Sequence, residues 1–133
     1  MAGILGIGVD IVDIPRMAEL RQRHGERFKD LLFCPEEYDY CLSRAKSDEC
    51  FAARFAAKEA VMKALGTGWA EGVAFTGIEV VRQEGGKPEI RLHGSTAKRA
   101  GELGAGKIHL SLSHSLTAAI AHVVIEKKDD AIL

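Results

Sequence analysis

The stretch FAARFAAKEAVMKAL, from Phe51 to Leu65, constrains the fold more than any other part of the chain. Ala, Leu, Met, Lys and Glu favour helix, and neither Pro nor Gly interrupts them. Ser47 or Asp48 is placed to cap the start, and Gly66 to close the end. At about 100° per residue, Phe51, Phe55, Met62 and Leu65 form one apolar stripe, and Ala52, Ala56 and Ala60 a second stripe of small residues. A helix apolar nearly all round is a buried helix, yet charges sit among these stripes. Lys58 projects into the Phe51/Phe55/Met62 stripe. Glu59 and Lys63 lie between the stripes, one turn apart on one face. They read either as an ordinary solvated pair or as part of a site, since buried charge is costly unless it is paired or holds a ligand.

The rest of the chain supplies elements to cover that helix. Ile4 to Val12 reads as a strand buried on both faces, with glycines at 6 and 8. Asp13 suits the N-cap of a helix that begins around Pro15 and runs to about Arg23. Asp10 is left without a local structural duty, so it is either a cap or a ligand. Pro35-Glu36-Glu37 opens a short helix ending near Ser43, with acid in its first turn as the helix dipole favours. Residues 66–72, GTGWAEG, form a loop whose backbone can approach a ligand closely. As a phosphate cradle it lacks the P-loop spacing, and a helix cap and turn is the plainer reading. Phe75 to Gln83 and Pro88 to His93 read as a hairpin joined at Gly85-Gly86. Ser95 to Leu103 reads as a helix. Lys107 to Ser113 and Leu116 to Glu126 read as strands joined by a tight polar turn, Ser113-His114-Ser115. His109 fits a hydrogen-bonded structural histidine. His114, among serines, fits either an oxyanion site or a turn residue. The fold class is therefore α+β, with an antiparallel β-sheet wrapped on a long central helix and short helices at one end. At 133 residues, the chain suits one domain spanning 1–133.

Charge and cysteine usage narrow the function. A net charge of −1 gives no field for nucleic acid or a membrane surface. Residues 14–29 are nevertheless basic, with Arg16, Arg23 and Arg27 on a face that continues if the helix survives Gly25. Such a face reads either as a solvated helix face, which composition alone favours, or as a docking surface for an acidic protein partner. The apolar start MAGILGIGVDIV is too short to span a membrane. Cys34, Cys41 and Cys50 are odd in number and lack CxxC spacing, which predicts reduced thiols in a cytoplasm. No zinc spacing occurs.

Four segments together resemble one family. GIGVDIVDIPR at 6–16 is similar to its GxDxxxxxR opening, and RFAAKEAVMKALGTG at 54–68 to its FxxKEAxxKAxGxG signature. GIEVVRQEGGKPEIRL at 77–92 is similar to its hairpin, and HLSLSHS at 109–115 to its closing SxSH turn. The chain thus resembles the small bacterial holo-acyl-carrier-protein synthases, a class of phosphopantetheinyl transferase. The resemblance implies transfer of the phosphopantetheine arm of coenzyme A to a serine of apo acyl carrier protein, with magnesium, in a cytoplasmic homotrimer whose active sites lie between subunits. It implies Asp10 and Glu59 as magnesium ligands and Lys63 at the phosphates. Arg54, Gly66, Gly68 and His114 would help hold the nucleotide. Arg16, Arg23 and Arg27 would dock the carrier protein. The chemistry is consistent, because a pyrophosphate suits magnesium on one or two carboxylates with a cation beside the leaving oxygen. A magnesium-dependent nucleotide pyrophosphohydrolase and a non-catalytic coenzyme A-binding module are the alternatives.

Overall fold

A computed structural model describes residues 3–69, 71–82 and 86–129. The elements run β1 (Ile4–Asp13), α1 (Ile14–His24), α2 (Glu26–Leu32), α3 (Pro35–Ser43), α4 (Ser47–Leu65), a 3-10 turn (Phe75–Gly77), β2 (Ile78–Arg82), β3 (Pro88–Leu92), α5 (Gly94–Glu102), β4 (Ala105–His114) and β5 (Ala118–Lys127). Strands β1, β5 and β4 form an antiparallel sheet in that order, and β2 pairs with β3 antiparallel. None of the described helices is long and apolar enough to cross a membrane.

Helix α4 lies across the three-stranded sheet. Its alanines at 56, 60 and 64 meet Ala121, Val123 and Ile125 of β5 in one core. The small side chains allow backbone contact with β1. A Cβ on Gly8 would sit 1.9 Å from the Ala60 carbonyl oxygen, and one on Gly6 would sit 2.0 Å from that of Ala64. Only glycine therefore fits at these two positions, and the close approach fixes β1 against the C-terminal part of α4. A second core gathers Phe28, Phe33 and Phe51 beneath the short helices, with ring centroids 5.1–5.6 Å apart, in the tilted and edge-on geometries that aromatic pairs prefer.

Buried charge ties these two cores together. Lys58 and Glu37 are fully buried and paired at 2.7 Å. Lys58 Nζ also donates to the carbonyl oxygens of Phe75, at 2.8 Å, and Ile78. Glu37 accepts from the backbone amides of Cys34, at 3.0 Å, and Val80, at 2.8 Å. The pair joins α3, α4, the 3-10 turn and β2 through directional bonds.

Several local expectations change. The central helix has no side-chain cap: its N-cap is Lys46, and the Ser47 hydroxyl instead donates to the Arg44 carbonyl at 2.9 Å. Strand β1 is an edge strand and is not buried on both faces, since Ile7, Val9 and Ile11 are 66%, 56% and 66% exposed. Gly25, at φ +49°, breaks the basic helix, so Arg27 belongs to α2 and does not continue the face of Arg16 and Arg23. The residues from Phe75 to Gly77 form a 3-10 turn where a strand was expected. Gly85, half of the expected hairpin turn, lies outside the described residues. The polar turn falls two residues later than expected, at 115–117: β4 runs through His114, β5 begins at Ala118, and the Ser115 hydroxyl oxygen accepts from the amides of Thr117 and Ala118. Cys41 and Cys50 form a disulfide between α3 and α4, so two of the three thiols are not reduced. The two helices place these sulfurs together, a pairing that their nine-residue separation in sequence does not reveal.

Candidate active site

The predicted site residues fall into two groups on different sides of α4. Asp10 leaves the middle of β1 toward α4, where Lys63 Nζ donates to its carboxylate at 2.8 Å and to the Val9 carbonyl at 2.9 Å. Glu59 is half-buried beside them. Its carboxyl is pushed above the ordinary glutamate range, first by burial and then by the negative charge of Asp10, while Lys63 opposes the shift. Two neighbouring carboxylates with one cation alongside form a polarised cluster at the protein surface. Lys63 therefore bridges to β1 and does not simply pair with Glu59 along the helix. Gly66 and Gly68 follow at the C-terminus of α4, both left-handed with φ of +78° and +65°, and the Gly66 amide caps Met62 and Lys63. That turn lets the chain reverse next to Lys63.

Arg54 and His114 belong to the second group. Arg54 and Glu59 are five positions apart, about 140° around the helix. Arg54 is 6% exposed, stacks over the Tyr40 ring at 4.5 Å and donates from Nη1 to Cys50 Sγ at 3.1 Å. Its Nε is buried without a hydrogen-bond partner, and burial lowers its proton affinity. A buried guanidinium with spare donors is suited to an anion. It opens on a cavity of about 700 Å³ lined also by Arg44, Lys46, Arg82, Lys87 and His114. His114 Nε2 lies 3.4 Å from Glu49, which also lines the cavity. Such a concentration of cations suits a multiply phosphorylated ligand. The lining residues do not include Asp10, Glu59 or Lys63.

Arg16, Arg23 and Arg27 are exposed on α1 and α2, and Arg23 pairs with Glu19 at 3.0 Å. Sequence reading missed Arg44, Lys46, Arg82 and Lys87, because the cavity draws on segments far apart in the chain. It also missed Glu37 as the partner of Lys58, although a lysine inside an apolar stripe signals that such a partner exists. His109, bonded to Glu126 at 2.6 Å, is the structural histidine that was expected.

A carboxylate pair beside a lysine, and a basic cavity of about 700 Å³ on an α+β frame, suit a protein that handles a phosphorylated nucleotide. The profile of the 4'-phosphopantetheinyl transferase superfamily matches residues 6–121, and the chain belongs to that superfamily. It is 50% identical over 123 residues to the holo-[acyl-carrier-protein] synthase of Koribacter versatilis, covering 92% of this chain and 98% of that one. The crystal structure of holo-[acyl-carrier-protein] synthase from Neisseria meningitidis superposes with a TM-score of 0.86 at 37% identity, covering 93% of this chain and 99% of that one. The Helicobacter pylori enzyme, in complex with coenzyme A, superposes with a TM-score of 0.79 at 29% identity, covering 90% and 98% of the respective chains.

Proposed function

We propose that this protein transfers 4'-phosphopantetheine from coenzyme A to a serine hydroxyl of apo acyl carrier protein, releasing adenosine 3',5'-bisphosphate. The observation that carries this reading is the Asp10–Lys63 contact with Glu59 beside it, on a chain of this superfamily. Among the described residues, no group of three or more Asp, Glu, His or Cys side chains gathers to hold a metal. Magnesium does not need one, because it binds through one or two carboxylates and takes its other ligands from water and phosphate. Asp10 and Glu59 fit that demand, and their mutual repulsion is what a divalent cation relieves. These two residues would hold magnesium, which when bound supplies charge neutralisation at the pyrophosphate.

The chain's own groups account for the remainder. Glu59 accepts the proton from the serine oxygen as that oxygen attacks the phosphorus bearing the pantetheine arm. The bond from that phosphorus to the bridging oxygen breaks, and the nucleotide leaves with the bridging oxygen. Lys63 places its ammonium beside that oxygen and offsets the charge developing there. Arg54, His114 and the cavity cations hold the nucleotide and its 3'-phosphate, while Gly66 and Gly68 let backbone amides approach it. If coenzyme A is incubated with the protein, adenosine 3',5'-bisphosphate should accumulate only when apo carrier protein is present. Nucleotide release without a carrier would instead mark a pyrophosphohydrolase.

The two groups face different sides of one chain, so the reading places a complete site between subunits of a homotrimer. The outer face of the β1–β5 ribbon supports this association. Ile7, Val9 and Ile11 of β1 stand opposite Val124, His122 and Ile120 of β5, a largely apolar exposed surface of the kind that subunits cover. Sedimentation equilibrium should give three times the chain mass, and a monomer at working concentration would contradict the shared site.

Arg16 and Arg23 on α1, with Arg27 on α2, present the acidic carrier with a cationic surface. Reversing Arg23 should raise the KM for carrier protein several-fold at low salt and leave the KM for coenzyme A unchanged. Equal KM values for carrier protein in the Arg23→Glu variant and the parent would exclude Arg23 from docking.

A further inference from the structure

We propose that Cys41 and Cys50 form a reversible thiol–disulfide site in the wall of the basic cavity, and that its redox state sets the cavity's affinity for phosphorylated nucleotide. The inference rests on the reading of the cavity given above. The bridge joins the last turn of α3 to the first turns of α4. Cys41 is fully buried, whereas Cys50 is half-buried and lines the cavity. Two features connect the bridge to anion binding. Cys50 Sγ accepts a hydrogen bond from the Arg54 guanidinium, at 3.1 Å. Tyr40, the residue before Cys41, places its ring under both Arg54, at 4.5 Å, and Arg44, at 5.6 Å. The disulfide thus holds the ring on which two cavity cations stack, and it keeps the sulfur beside Arg54 neutral.

Reduction changes both. A small thiol or dithiol attacks the accessible Cys50 sulfur, the S–S bond breaks, and Cys41 leaves with the electron pair and takes up the proton of the attacking thiol. A second thiol then attacks the reductant sulfur of the mixed disulfide and releases Cys50. The disulfide gains two electrons and two protons, and the reductant becomes a disulfide. The freed Cys50 lies against a guanidinium, which favours its thiolate. A thiolate there neutralises Arg54 and competes with phosphate, and loss of the bridge frees Tyr40 from its fixed position. Reduction therefore weakens anion binding, and oxidation strengthens it.

The test uses the intact protein in a thiol-free buffer and after treatment with a dithiol. Thiol counting under denaturing conditions should find one thiol in the first sample, Cys34, and all three in the second. Calorimetric titration with adenosine 3',5'-bisphosphate should show binding about fivefold weaker after reduction, the scale of one partly screened ion pair. A Cys41→Ser variant, which leaves Cys50 unbridged, should bind as the reduced protein does, with or without dithiol. Equal affinity in the two redox states, or three free thiols that persist under an oxidising thiol–disulfide buffer, would overturn the proposal. Binding by neither state would overturn the assignment of the cavity, and the proposal with it.

Discussion

Replacing Glu59 with Gln is expected to lower kcat by about a hundredfold to ten-thousandfold, the range for loss of a positioned acid–base group. The amide keeps the shape and the position on α4 but can neither take the serine proton nor offer magnesium a full negative charge. The fold should not suffer. Burial and Asp10 raise the proton affinity of Glu59, so at neutral pH the ionised form is one the folded state disfavours. Removing that charge leaves stability at neutral pH unchanged or slightly higher. The same shift sets a pH dependence. Glu59 must be ionised to act, and it takes up a proton at a higher pH than a free glutamate, whose pKa is about 4.3. Magnesium binding by the metal-free parent, which needs the ionised form, should therefore begin to weaken, on acidification, above the ordinary carboxylate range. A Glu59→Gln variant with near-parental turnover would remove Glu59 from the chemistry.

The largest expected effect on stability lies at Lys58. Lys58→Met substitutes a side chain of similar length that cannot reach Glu37 as a cation. It leaves a fully buried carboxylate without its counter-charge and strips a donor from the carbonyls of Phe75 and Ile78. Breaking a buried pair from one side costs about 3–5 kcal/mol, which is a large part of the stability of a domain this size. The denaturant midpoint should drop accordingly. Adding Glu37→Gln to Lys58→Met should recover part of the loss, because the uncompensated charge is gone while the one amide oxygen still accepts from either Cys34 or Val80, which bond different oxygens of the carboxylate. An unchanged midpoint in Lys58→Met would show that the pair contributes nothing to the clamp between α3, α4 and β2. Burial pulls the Lys58 ammonium below its ordinary value and Glu37 opposes this, consistent with a charge kept only by its partner.

Helix α4, strands β4 and β5, the Asp13 cap and the left-handed Gly66 were legible because each rests on local periodicity or on a residue with a specific backbone role. Asp10 stood out because no cap or solvated face accounted for it, and the fold brings it to Lys63 across 53 residues of sequence. What stayed hidden depends on distant segments meeting. Lys58 announced a buried partner, but nothing in the sequence named Glu37, which served equally well as a helix-dipole acid. Alternation could not show that β1 lies at the sheet edge, because an apolar outer face reads the same whether a second layer or a second subunit covers it. The cysteines were misread because count and spacing carry no information about two helices crossing. Gly25, by contrast, was a visible warning that Arg27 would leave the face of Arg23.

The central claim is transfer of the phosphopantetheine arm to a protein serine, and intact mass spectrometry of the acceptor tests it most directly. Apo acyl carrier protein would be incubated with the enzyme and coenzyme A, with magnesium and with a chelator. The account predicts that the carrier gains the mass of one phosphopantetheine arm when magnesium is present and none with the chelator. A carrier of unchanged mass, with adenosine 3',5'-bisphosphate nonetheless released into solution, would contradict it.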